Sequence, residues 1–405
     1  MREMKETQIS WCISIPSGWT VKRVKDLARL QSGDTFTADN LVEGGLYPVY
    51  GGNGLRGYSD NYTNEGNHVL IGRQGALCGN INYGIGKFFA TEHAIVVYGK
   101  REVNVKWLGE TLRTANLNRL SMTAAQPGLS VSVINNQFIP CPPKDEQQRI
   151  AEYIEFHVSS IDKRVSLLTS KRNHYLRLKT AIINRAVTQG LNPDVKKKDS
   201  GVEWIGMIPE HWEIRRMKEL SSYISRGSAP DYVDESDFAV MNQATFSKGY
   251  IDYDIVRYSS SMRNDSRLQN GDLIMASTGG GILGKVFYFE NAKRDFYADT
   301  HVTIIRGSLD LFSKFAYYYF STRYEMINAL MAKGSTNQTE LQRDALLRHV
   351  LPVPSLSEQR EITAYLDEKC TKIDAIVENL NQQIERHKLL KRALINEIIT
   401  GQRVV

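Results

Sequence analysis

Several common signals are missing from this 405-residue chain. No run of 18 apolar residues occurs, and no charged-then-apolar segment opens the chain, so neither a membrane span nor a secretory signal is offered. A cytoplasmic protein is the expectation. The four cysteines (Cys12, Cys78, Cys141 and Cys370) form no Cys-x-x-Cys pair, which removes a disulfide framework and a zinc cluster. Neither charge sign dominates: 51 basic against 45 acidic residues leave +6, compatible with a polyanionic partner but short of proof. Catalytic signatures are also missing, with no Gly-x-Ser-x-Gly elbow, His-Glu-x-x-His pair or Asn/Asp-Pro-Pro-Tyr methyl-transfer motif. With 41% hydrophobic and 24% charged residues, what remains is an ordinary globular composition.

The chain does contain a repeat. Trp11, Ile15, Pro16, Trp19, Lys25 and Leu27 match Trp204, Ile208, Pro209, Trp212, Lys218 and Leu220 at an offset of 193. Further on, Pro140, Pro142, Glu146 and Gln147 match Pro352, Pro354, Glu358 and Gln359 at an offset of 212. Between Pro140 and Thr188, 16 positions are identical at that second offset without a gap, whereas residues 30–120 and 228–335 share far less. Each copy therefore joins a divergent body to a preserved tail.

The tails read as long helices. Each follows Pro-x-Pro, which disfavours helix before it, and Asp145 or Ser357 suits an N-cap ahead of Glu-Gln. Apolar residues recur at heptad spacing: Ile154, Val158, Ile161, Val165 and Leu168 in the first, Leu366, Cys370, Ile373, Val377, Leu380 and Ile384 in the second. Arg172, Lys179, His387 and Lys391 interrupt this seam. About 43 helical residues would span roughly 65 Å. Gly190 and Gly401 stand where a C-cap glycine is expected. The polar stretch 191–203, with its lysine run, is a linker. Antiparallel pairing of the helices is the expectation; parallel pairing, which would crowd both bodies at one end, stays open on sequence alone.

The bodies read as mixed α and β. Strand candidates are 68–71, 94–98, 273–277, 285–289 and 301–305, separated by glycine-rich turns. A short amphipathic helix follows in each, around Trp107, Leu108 and Leu112, and around Phe315 and Phe320. The run Gly279 to Lys285 fits most of a phosphate-binding loop. Val286 stands where the magnesium-holding hydroxyl belongs, and a strand follows instead of a helix, so a hairpin turn is the better reading. His93 and His301 occupy matching places; a ligand or base is one reading, a turn residue completing local hydrogen bonds the stronger.

A duplicated body on a rigid spacer suits a partner with two sites at fixed separation, and duplex DNA is the obvious one. Arg suits guanine edges, and Asn or Gln suits adenine. Candidate reading residues are Arg56 in loop 53–58, Arg73 and Gln74 in loop 72–80, and Lys87 after turn 84–87. In the second body they are Arg226, Gln243, Lys285 in loop 278–285, and Arg294 in the pair Lys293-Arg294; the alternative for each is an ordinary solvated loop residue. Two other readings compete: a scaffold using only its coiled coil, and an enzyme built on the glycine loop.

The run Asp199-Ser200-Gly201-Val202-Glu203-Trp204-Ile205-Gly206-Met207-Ile208-Pro209-Glu210-His211-Trp212 resembles the specificity subunit of type I restriction–modification enzymes. So do the two Pro-x-Pro-x-x-x-Glu-Gln helix entries. The N-terminal copy keeps Trp11, Ile15, Pro16 and Trp19 but replaces the other residues between. The resemblance implies an α+β chain with two pseudo-symmetric target recognition domains, at 1–142 and 204–354, joined by long antiparallel helices at 143–190 and 355–401 with a linker at 191–203. It implies a non-catalytic subunit reading a split asymmetric DNA target. Its helices would set the gap and dock two methyltransferase subunits, and restriction subunits would join to cleave. No cofactor is implied for this chain; S-adenosylmethionine, ATP and magnesium would belong to the partners.

Overall fold

A computed structural model describes residues 2–75, 77–121, 128–334 and 339–405. The chain divides into two compact units, residues 1–169 with 381–405, and residues 170–380. The two long helices are Lys144–Gln189 and Leu356–Ile399. The first unit holds the start of the first helix and the end of the second; the other unit holds the converse pair.

In the first unit a four-stranded antiparallel sheet has the order Ala28–Ser32, Ala94–Gly99, His68–Gly72, Ile81–Gly84. In the second unit the order is Ser221–Arg226, Val302–Gly307, Asp272–Ala276, Val286–Phe289. Counted along the chain, both run first, fourth, second, third. The divergent bodies therefore share one topology. Both faces of this sheet are buried, which explains its apolar runs. Val69, Ile71, Ile95 and Val97 join the core that contains the helices, while Leu70 and Val96 face Phe88 and Ala90 of the unit's second sheet. In the second unit Leu273, Met275 and Ile305 take the first role, and Ile274, Ala276 and Ile304 the second.

The second sheets are related less closely. Each has a parallel pair, Tyr47–Gly51 with Lys87–Ala90, and Phe238–Met241 with Phe296–Ala298. Each adds an antiparallel partner to the first strand of that pair, Gly54–Ser59 or Arg257–Ser259. The fourth strand differs. Asn64–Glu65 extends the first sheet beyond Lys87–Ala90, whereas Tyr232–Val233 extends the second beyond Arg257–Ser259. Divergence is thus concentrated at sheet edges and loops.

The preserved motifs tie each body to its helices. Trp19 is buried and donates its indole N–H to Glu146 at 2.9 Å; Trp212 donates to Glu358 at 3.1 Å. The neighbouring glutamines bind backbone with both ends of the amide. Gln147 accepts from Asn104 N–H at 3.1 Å and donates to the Pro142 carbonyl at 3.0 Å, and Gln359 does the same with Phe312 and Pro354 at 2.8 and 3.0 Å. The Glu-Gln pair therefore serves as a clamp. The expected N-cap residues lie inside the helices. Lys144 and Leu356 are already helical, so Asp145 and Ser357 lie in the first turn, and Ser355 Oγ accepts the Glu358 N–H at 3.3 Å instead.

Within each unit the helix segments run antiparallel. Ile150 and Ile154 share a core with Ile395, Ile398 and Ile399, while Asp162 meets Lys391 at 2.7 Å. In the second unit Ile183, Ala186 and Val187 share a core with Ile362 and Leu366, and Lys179 meets Asp374 at 2.6 Å. Lys179 and Lys391 are equivalent positions at the offset of 212, as are Asp162 and Asp374. Two of the expected seam interruptions, Lys179 and Lys391, thus form two equivalent ion pairs, one in each unit. Gly190 and Gly401 end the helices with φ +72°, as a left-handed C-cap requires.

Candidate nucleic-acid interface

In each body the loop leaving the strand His68–Gly72 or Asp272–Ala276 is held from below by the repeated histidine. His93 accepts the Arg73 N–H on its carbonyl at 2.8 Å, and its Nδ1 lies 3.0 Å from Gln74 Oε1. His301 accepts the Ser277 N–H at 2.8 Å, with Nδ1 2.8 Å from Thr278 Oγ1. Asp299 Oδ1 takes the His301 N–H at 2.9 Å; burial pushes this carboxyl up, against the pull of that hydrogen bond and of His301. The histidines act as loop supports, completing local hydrogen bonds.

Glycine is required where the chain leaves the first strand of each central sheet. A Cβ on Gly33 would stand 2.2 Å from the Ala90 carbonyl oxygen, and one on Gly227 would stand 1.9 Å from that of Ala298. The run after Ala276 is a turn: Gly279, Gly281 and Gly284 all have positive φ, and Val286–Phe289 pairs antiparallel with Asp272–Ala276. The hairpin reading of this glycine run holds.

In the first unit the structure gathers Arg56, Arg73 and Gln74. The turn at Gly51 and Gly52 lies against the Arg56 stem, Gln74 and His93. Arg56 is exposed and Arg73 half-buried, and neither guanidinium has a hydrogen-bond or ion-pair partner among the described residues. Residue 76 of loop 72–80 lies outside the described residues. Lys87 stands apart from this group, its ammonium 4.6 Å from the centre of the exposed Tyr62 ring.

In the second unit Arg226 donates to the Leu341 carbonyl at 3.1 Å and reaches Glu340 at 3.4 Å. Glu340 bridges to Thr278, and Gln243 lies over Gly279 with its Oε1 buried and unpartnered among the described residues. Lys285 is half-buried and donates to the Ser247 carbonyl at 3.4 Å. These four residues share one neighbourhood. Arg294 belongs to the other sheet, bonded to Tyr258 Oη at 2.6 Å. Sequence reading missed Glu340, which orients Arg226 from 114 positions away. It also missed Arg257, stacked 3.3 Å from the centre of the Tyr232 ring; Lys293, which it paired with Arg294 in one loop, lies 5.0 Å from the centre of the Tyr253 ring. Basic residues interleaved with tyrosines were the available signal.

The groups presented are guanidinium, ammonium and amide. They suit hydrogen bonding to base edges and phosphates, and stacking on exposed rings. Among the described residues no set of three His, Cys, Asp or Glu is placed to hold a metal ion. The cysteines are free and buried, and burial pushes the Cys12 thiol up to about 11.

Comparison with known proteins places these features. The family profile described as "Type I restriction modification DNA specificity domain" matches twice, over residues 16–173 and 209–386. The EcoprrI specificity subunit of Escherichia coli is 38% identical over 138 residues, 33% of this chain and 34% of that protein. The MjaVIII specificity subunit of Methanocaldococcus jannaschii is 22% identical over 418 residues, 96% of this chain and 94% of that one. In a solved structure concerned with complex assembly and conformational transition of the type I R-M system, one chain superposes with a TM-score of 0.70. The match is at 16% identity and covers 96% of this chain and 99% of the other. That likeness shows the same fold.

Proposed function

This chain belongs to the type I restriction–modification DNA specificity family, and from that premise we propose that its two bodies read the two halves of a bipartite, asymmetric DNA sequence. A single observation supports this most directly. Both bodies keep the first-fourth-second-third sheet and the Trp–Glu clamp, while differing in reading loops and in the edge strand of the second sheet. A shared scaffold under unlike loops is what two unlike half-sites require. In this reading residues 1–142 and 204–354 are the recognition domains, residues 143–190 and 355–401 the helical spacer, and residues 191–203 the linker.

Preserved helices would meet two identical methyltransferase subunits, which supply S-adenosylmethionine and methylate adenine N6. Restriction subunits using ATP and magnesium would cleave unmodified DNA. The address is supplied here, and the chemistry by the partners, in the cytoplasm. No helix among the described residues is long and apolar enough to cross a membrane.

Arg56, Arg73, Gln74 and Lys87 would serve one half-site, and Arg226, Gln243, Lys285 and Arg294 the other. Methylome sequencing of cells expressing the chain with its methyltransferase tests the proposal. The expected result is a split motif with methyladenine on each side. Arg56→Ala, Arg73→Ala and Lys285→Ala should each weaken cognate binding by about 1–3 kcal/mol, with the first two relaxing one half only. An uninterrupted motif would overturn the bipartite reading; unaltered motif and affinity in all three variants would overturn the residue assignment.

A further inference from the structure

A cleft of about 910 Å³ opens in the first unit beside the reading loop. One wall is residues 77–81 with Asn116 and Asn118; the other is the end of the second long helix, with Asp162. The loop wall is firmly held. Asn118 donates its amide to the Cys78 carbonyl at 2.9 Å, and Asn116 keeps a left-handed backbone at φ 49°. Asn80 reaches Asn53 at 3.4 Å, which joins this wall to the turn beside Gln74 and His93.

The cleft is basic. Arg113, Lys388, Lys391 and Arg392 line it against the single carboxylate of Asp162. Lys391 is committed to Asp162, and Arg113 is paired with Glu110. Lys388 is half exposed and reaches only Glu385, one turn back. Arg392 has no hydrogen-bond or ion-pair partner among the described residues.

The repeat supplies an internal control. At the offset of 212, Lys391 and Asn396 correspond to Lys179 and Asn184, but Lys388 and Arg392 correspond to Leu176 and Thr180. The second unit's cleft beside Thr180 and Asn184, about 740 Å³, is lined also by Thr188, Arg323 and Glu325, and not by the loop after Asp272–Ala276. Its one cation, Arg323, is buried and donates to the Tyr319 carbonyl at 2.6 Å. The other copy's helix is thus built with leucine and threonine at these two positions, so helical packing does not demand cations there. Cations that the helical packing does not require suit an anionic occupant.

Resting on the DNA-reading role proposed above, we infer that this cleft holds sugar–phosphate backbone of the duplex read by the first body. The second long helix thereby contributes sequence-independent affinity on one side only. DNA fits better than an acidic protein because the cleft is continuous with the reading loop and its lining is cations and amides. The exposed Leu389 and Leu390, which a protein interface would use, are not part of that lining.

The test is the salt dependence of binding of a random-sequence 30-base-pair duplex to the full chain with its co-purifying subunits. Lys388→Gln/Arg392→Gln should reduce the slope of log K against log salt by about 2 and weaken binding by up to about a hundredfold at 0.1 M salt. The methylated motif should stay unchanged, and an unaltered thermal midpoint confirms folding. Lys372→Gln removes an exposed, ion-paired lysine elsewhere and should leave the slope alone. An unchanged slope in the double variant, or an equal loss in Lys372→Gln, overturns the inference. Loss of a co-purifying subunit with the slope intact would place protein in the cleft and overturn it as well. If Arg73→Ala leaves the motif intact while the double variant flattens the slope, the loop assignment fails and the cleft stands.

Discussion

Single residues carry the correspondence between the two copies, and their differences are as informative as their identities. His349 occupies the position of Gln137, and each gives its carbonyl to the backbone N–H that opens a short helix far earlier in the chain, at Met217 or Val24. Only the histidine titrates. Burial, with Arg323 adding to it, holds the His349 imidazole down to about 4, against an ordinary value of 6.5. The fold therefore keeps it neutral while the unfolded chain takes up a proton. Its contribution to stability is complete above pH 6.5 and is lost progressively as pH falls towards 4, by about 3 kcal/mol over that window. His349→Gln, borrowing the residue of the other copy, should remove this component. Denaturation midpoints of the two proteins at pH 7 and pH 4.5 measure it, and parallel pH profiles would refute it. Reading-loop residues were legible as exposed polar groups between strands. Their supports were not, because the Glu340 that orients Arg226 is brought to it by chain folding alone.

At the scale of elements, both long helices were visible in heptad spacing, and the strands in short β-branched and aromatic runs. The continuous apolar runs of the central strands reflect burial on both faces, between the helices and the second sheet. What periodicity left open was the direction of pairing. The ion pairs Lys391–Asp162 and Lys179–Asp374 now account for lysines that break the apolar seam. Both pairs are partly exposed, so each is worth about 0.5–1 kcal/mol. Asp162→Lys should therefore destabilise the chain and Asp162→Lys/Lys391→Asp should recover it. A double-mutant cycle by urea denaturation reads the coupling, and zero coupling would reduce the pair to a bystander. The N-cap of the second helix escaped sequence reading because Ser355 and Ser357 are both of a type that caps, and only the backbone shows which one does.

At the scale of the whole molecule, duplication organises the protein. Each compact unit draws on both copies, pairing the start of its own copy's helix with the end of the other's. Under the proposed function the helices also set the gap between half-sites. Inserting four residues, about one turn, into both helices should change the gap in the methylated motif and leave the half-site sequences alone. Altered half-sites would refute the spacer role. By itself the amino-acid sequence determined the duplication, the long amphipathic helices and the location of the turns, because identity, period and glycine placement are local properties of the chain. Only the tertiary structure decided three things: that unlike bodies share one strand order, that the helix segments run antiparallel, and that two extra cations line a cleft beside a reading loop. Each depends on contacts between residues far apart in the chain, and no local pattern encodes these.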